Sequence, residues 1–211
     1  MPCGCAMIAT AVPYLLLGAP RTVEFTLTVL DNQSHWTQIH RRVVEGVARL
    51  SADGSLATRF RDFYYRFYFL PEAPVEFETI LIRQERQFYV DHDKRTARES
   101  PCHCSWGREA QRKPDPLCER IAAEFDAVEF VGRGTVAGTP VVRYQGSDDG
   151  EQIAIELAPG RDCEVMSYWR GLSLLGFACY GRQYRVTRLT SGEPAASAFR
   201  PPASYRILSS P

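Results

Sequence analysis

The chain has 211 residues, 45% of them apolar and 24% charged, the composition of one globular domain rather than of a low-complexity or disordered chain. Acidic and basic residues number 25 each, so the formal net charge is zero and nothing in it favours nucleic acid or an anionic membrane surface. Apart from Lys94 and Lys113 the basic residues are all arginine, scattered rather than clustered.

Residues 1–20, MPCGCAMIATAVPYLLLGAP, carry no charged side chain. Their apolar run of about a dozen residues is too short to span a bilayer and fits the h-region of a secretory signal. The segment lacks a Lys or Arg at its start, and Pro20 directly follows Ala19, the best small-residue cleavage point. Neither Cys3 nor Cys5 follows a lipobox, so no lipid anchor is expected there. The expectation is a signal-like segment over 1–20 and one domain over 21–211, periplasmic or secreted, with no transmembrane segment.

In TVEFTLTVL, Val23, Phe25, Leu27 and Val29 alternate with Glu24, Thr26 and Thr28, which predicts a strand with one buried face. The next segment allows two readings. Trp36, Ile39, Val43, Val47 and Leu50 fall at helical spacing behind an N-cap candidate, Ser34. The turn Ala52-Asp53-Gly54, however, needs extended flanks, so a hairpin of two strands is favoured. In FRDFYYRFYFL, Phe60, Tyr64, Arg66 and Tyr68 share one face of a strand, and Phe63, Tyr65, Phe67 and Phe69 share the other. Aromatics on both faces suit plain core packing, or a strand between a cavity and a covering layer. On the second reading Phe63, Tyr65 and Phe67 line an apolar pocket, and the expected partner is a lipid or other hydrophobic small molecule.

FETILIRQERQFYVDHDKRTARES predicts two or three short strands with a turn at Asp91 to Asp93. An Asp-rich turn there accounts for Asp91, His92 and Asp93 better than a cation site does. DPLCERIAAEFDAV is the clearest helix, with Pro116 in its first turn and Leu117, Ile121 and Phe125 on one face. The segments VEFVGRGTVAGTPVVRYQG, EQIAIELAP, CEVMSYWRG and GRQYRVTRLTSG all read as extended, with Gly138 and Gly150 at turns. The tail EPAASAFRPPASYRIL opens on a short helical or turn element and closes on an edge at Tyr205 and Ile207. The fold class is mainly β (α+β), antiparallel, in one domain.

Five cysteines follow residue 20: Cys102, Cys104, Cys118, Cys163 and Cys179. The crowding of Cys102, Cys104 and Cys118 around His103 allows a metal site completed by His92 or His103, a redox couple, or a staple. Cys-x-Cys is tighter than usual zinc spacing, and no Cys-x-x-Cys heads a helix beside a parallel sheet. A staple is therefore favoured, with Cys163–Cys179 as one pair and Cys118 joined to Cys102 or Cys104 as the other. No Gly-x-Ser-x-Gly elbow accompanies the four histidines, so no catalytic residue is expected, and neither a metal nor a cofactor.

The order FVGRGTVAGTPVVRY, EQIAIELAPGRDCEV, YRVTRLTSGEPAASAFRPPASYRI resembles the second half of secreted bacterial proteins related to the LolA/LolB-like half-barrel superfamily. Gly134 and Gly138 mark the strand pair, and Gly192, Glu193, Pro194, Phe199, Pro202 and Tyr205 form the closing pattern. The hairpin ARLSADGS also resembles a recurring piece of exported proteins of that type, and the likeness spans residues 40–208. It implies a curved antiparallel half-barrel sheet with one or few covering helices and an apolar concavity. The family's long opening helix is not evident here, and the Cys102–Cys118 segment has no counterpart. The resemblance and the aromatic strand together point to a non-enzymatic envelope or secreted protein binding a hydrophobic ligand. The alternatives are an envelope interaction or scaffold module with a closed core, and a thiol- or metal-dependent protein using Cys102, Cys104 and Cys118.

Overall fold

The computed structural model describes residues 19–31, 40–65, 75–82, 86–100, 118–123, 128–148, 150–174 and 177–208. The alternation in the first segment does form a strand, β1 (Arg21–Asp31). Val23, Phe25 and Leu27 are buried, while Glu24 and Thr26 are half-buried on the other face. The ambiguous segment is extended as well: β2 (His40–Leu50) and β3 (Leu56–Tyr65) pair as a hairpin. Its turn holds because Gly54 takes φ +83°, the Gly54 N–H reaches Ser51 O, and Asp53 accepts from the Ser55 N–H. Val43, Val47 and Leu50 lie on β2, where branched apolar residues pack well on a pleated surface, and Ser34, Trp36 and Ile39 lie outside the described residues.

The chain continues through β4 (Val75–Ile82), β5 (Arg86–Asp91) and β6 (Thr96–Ser100). A six-residue helix, α1 (Cys118–Ala123), then precedes β7 (Val128–Val136), β8 (Thr139–Asp148) and β9 (Glu151–Ala158). Strands β10 (Glu164–Leu174), β11 (Phe177–Ser191) and β12 (Arg206–Leu208) complete it. All twelve belong to one open, curved sheet in the order β12-β6-β5-β4-β3-β2-β1-β11-β10-β9-β8-β7. Two antiparallel meanders, β1–β6 and β7–β11, are thus zipped together along β1 and β11. The exception to antiparallel pairing is β12, which lies parallel to β6 at one edge.

To reach that edge from β11, residues 192–205 must cross β1 to β6. They do so on the outer face, where Phe199 packs with Ala57, Ile80, Phe88, Val90 and Ala97. This second, smaller core explains the closing motif in physical terms. Gly192 turns at φ +113° and donates to Pro20 O, Glu193 accepts from the Ala52 N–H, and Pro202 O accepts from the Tyr205 N–H. Phe199→Ala is expected to cost about 3 kcal/mol and to speed amide exchange in β5 and β6 before β9 and β10. Equal exchange in both halves of the sheet would mean that the strap does not act locally.

Candidate functional site

The larger core lies on the face opposite the strap. Cross-strand register places Tyr144, Ile155, Tyr168, Tyr184, Leu27 and Val44 in one row over six adjacent strands, every one of them buried. Beside the row, Phe25 meets Phe60 at 6.0 Å and Tyr184 at 5.3 Å between ring centroids. Its ring lies over Gly46, where an added Cβ would come within 2.3 Å of it. A glycine in the interior of β2 is therefore required by the close approach of an aromatic ring.

The described cover of this face is α1, whose Cys118 and Ala122 join the core. Cys118 is bonded to Cys163, 45 positions further along the chain, with 5.1 Å between Cα atoms. This corrects the expected pairing. Cys163 lies in the turn just before β10 at one end of the sheet, whereas Cys179 lies on β11 beside Leu172 and Ser173 at the other end. Nine residues of strand separate those levels, about 30 Å, far beyond disulfide reach. β10 and β11 do pair antiparallel, with Leu174 opposite Phe177, so the pairing sits asymmetrically between the two cysteines. Cys163 is presented to α1 by a turn in which Asp162 and Cys163 both take left-handed backbone angles, +51° and +57°. Cys102 and Cys104 lie outside the described residues. Reduction is expected to cost about 2–4 kcal/mol and to release α1 with the sheet still folded. Unchanged urea unfolding of a Cys118→Ser/Cys163→Ser protein would contradict this.

Of the aromatic residues expected to line a pocket, Phe63 is paired with Val43 and shares the face of Arg59 and Arg61, opposite Phe60. It is half-buried. Tyr65 ends β3 across from Arg41, and Phe67 lies outside the described residues. The residues that do converge on the main core from this strand are Leu56 and Phe60. Alternation alone could not say which parity faced inward, because both carry aromatics.

Two polar constellations stand at opposite ends of the main face. At the end of β1 where the chain enters, Arg21 Nε lies 2.8 Å from Glu164 Oε1, and both side chains are nearly excluded from solvent. Arg21 also donates to Ala19 O, and Arg161 contributes a second contact to Glu164 at 3.3 Å. At the other end, Arg42 is hydrogen-bonded to Asp62 and Arg170 to Glu151. The Arg170 bond, with help from Tyr180, holds the Glu151 carboxyl below the usual carboxylate range. The pair is therefore fully present above the ordinary carboxyl pKa and is lost only as pH falls through the lowered value.

On the strap side, His92 Nδ1 is 2.9 Å from the Tyr205 hydroxyl, with the rings edge to face at 5.7 Å. His92 Nε2 stands 2.6 Å from Glu78 Oε2 without hydrogen-bond alignment. These three residues pin the end of the strap rather than open onto a cleft. Among the described residues no group of three or more His, Cys, Asp or Glu could hold a metal ion. No described helix is long and apolar enough to cross a membrane.

No family model matches the chain, and no curated protein matches it. Among solved structures, a chain of the Pseudomonas aeruginosa MucA/MucB complex is similar over 97% of this chain, at 16% identity and a TM-score of 0.48. This chain spans 63% of that one. LprF from Mycobacterium bovis is similar over 95% of this chain and 97% of its own, at 12% identity and a TM-score of 0.47. An outer membrane lipoprotein-sorting protein domain from Vibrio parahaemolyticus is similar over 92% and 94%, at 7% identity and a TM-score of 0.25.

Proposed function

We propose that this chain is a non-enzymatic envelope or secreted protein that holds a lipid or other hydrophobic ligand against the main apolar face. The observation that carries this reading is the six-strand apolar row on a sheet that does not close on itself. A closed barrel fills its interior from all sides, but an open curved sheet needs a separate cover. Among the described residues that cover is α1, tied to the start of β10 by the Cys118–Cys163 disulfide. The Cys118–Cys163 bond supports an oxidising compartment, hence the periplasm or the exterior, with residues 1–20 as the export signal.

Organic extraction of protein purified without detergent, followed by mass spectrometry, tests the reading. A lipid at near-stoichiometric yield is the expected result, and the intact mass of the same sample reads whether residues 1–20 have been removed. Extraction of nothing from protein that also fails to take up added fatty acid would sink it.

A second reading, an interaction module with a closed core, is favoured by one feature of β7. This strand forms a sheet edge, and Phe130 and Val131 on it are 57% and 52% exposed. Exposed apolar side chains on an edge strand are a pairing hazard unless something covers them. Capture of a protein partner lost with Phe130→Ser, together with an empty extract, would favour that module.

A further inference from the structure

The main apolar row runs through Tyr144, Ile155, Tyr168, Tyr184 and Leu27, so the residue beside each in sequence points to the outer side of the sheet. There register aligns Gln145, Ala154, Trp169, Gln183 and Thr28 across β8, β9, β10, β11 and β1. The next row along holds Ser147, Gln152, Gly171, Gly181 and Leu30. No residue in either row is charged. The strap crosses β1 at its other end, beside Pro20, and leaves both rows uncovered. Gln145, Gln152 and Gln183 are exposed, and Trp169 and Ala154 are half-buried.

Gly171 and Gly181 face each other, and neither position has room for a side chain. A Cβ at Gly171 would lie 2.2 Å from Tyr180 O, and one at Gly181 would lie 2.5 Å from Arg170 O. The Trp169 ring fills the space above the pair, with Cζ2 3.1 Å from the first of those positions and Cη2 2.8 Å from the second. The indole therefore lies across the glycines, one face on backbone and the other toward solvent. Covering a glycine pair accounts for the inner face. The outer face is ringed by amides, whereas a tryptophan that anchors a protein contact sits in a desolvated pocket.

We propose that Trp169, with Gln145, Gln152 and Gln183, forms a stacking platform for a neutral oligosaccharide. A pyranose with equatorial hydroxyls presents an apolar C–H face that packs on an indole. Its rim of hydroxyls both donates and accepts, as a glutamine amide does. Ala154 and the glycine pair keep the floor low enough for a flat ring to approach. From β8 to β1 the rows span about 19 Å, room for a tetrasaccharide rather than one sugar. The row on the other side alternates in sign through Arg143, Glu156, Arg185 and Glu45, so it supplies no net charge for an acidic ligand. The platform lies on the opposite face from the hydrophobic ligand proposed above and does not depend on it.

Titration of 15N-labelled protein with cellotetraose, chitotetraose, tetragalacturonate and glucose, followed at the Trp169 indole and the β10 and β11 amides, tests the site. At least one neutral tetrasaccharide should shift these signals, and glucose should bind on the order of tenfold more weakly because it leaves the flanking amides unused. Trp169→Ala should weaken tetrasaccharide binding by about tenfold or more. That variant also uncovers the glycine pair, so Gln183→Ala on the exposed rim is the independent check, with a loss of about fivefold for one hydrogen bond. Arg182→Gln, on the same strand but the opposite face, should preserve binding. No shift with either neutral tetrasaccharide at about 10 mM overturns the platform, as does affinity that survives both Trp169→Ala and Gln183→Ala. Tetragalacturonate binding as tightly as the neutral sugars overturns the preference for a neutral ligand. An indole that shifts with acetyl-leucine amide and with no saccharide makes the ring a protein contact, and overturns the proposal.

Discussion

Replacing Phe25 with Asp is expected to leave no cooperatively folded protein. Phe25 is 1% exposed, contacts Phe60 and Tyr184, and lies over Gly46 where β1 joins the two meanders. Losing the ring costs about 3–5 kcal/mol, and burying a carboxylate in its place adds several more. The sum approaches the whole stability of an ordinary domain, about 5–15 kcal/mol. Thr26→Asp, one residue away on the solvated face, should change stability by about 1 kcal/mol or less. Circular dichroism and urea unfolding read both. Similar losses for the two variants would mean that the assignment of inner and outer faces is wrong.

The second large effect concerns the buried ion pair. Glu164→Ala leaves the Arg21 guanidinium enclosed with its carboxylate partner removed, at an expected cost of about 3–5 kcal/mol. Replacing both, as Arg21→Met/Glu164→Leu, should recover most of that loss, since neither residue then brings a charge into the core. The pair joins the first residue of β1 to the first of β10, and β11 lies between those strands. It therefore fixes the register at which the two meanders meet. A loss under about 1 kcal/mol for Glu164→Ala would place the pair in water, contrary to its burial.

Much of the local structure was legible in the sequence because strands with one wet face advertise themselves. Glu24 and Thr26 between Val23, Phe25 and Leu27 are enough, and Asp53-Gly54 marks its hairpin through the angle glycine alone takes easily. The strand order was not legible. Nothing local says that β11 lies beside β1, because that pairing joins residues at opposite ends of the chain. The disulfide was missed for the same reason. Cys118 has sequence neighbours in Cys102 and Cys104, but its partner is delivered by a β9–β10 turn 45 residues away. The closing Gly-Glu-Pro, Phe and Tyr pattern was visible as a pattern, yet its meaning required seeing a second core on the outer face for Phe199 to cover.

The central claim is that a hydrophobic ligand occupies the main face and not the strap-covered one. Methyl NMR with a nitroxide-labelled stearate measures this directly. The account predicts distance-dependent broadening at Leu27, Val44 and Ile155, with Ile80 and Val90 of the second core unaffected. Broadening confined to Ile80 and Val90, or none at any of these methyls at saturating stearate, would contradict it.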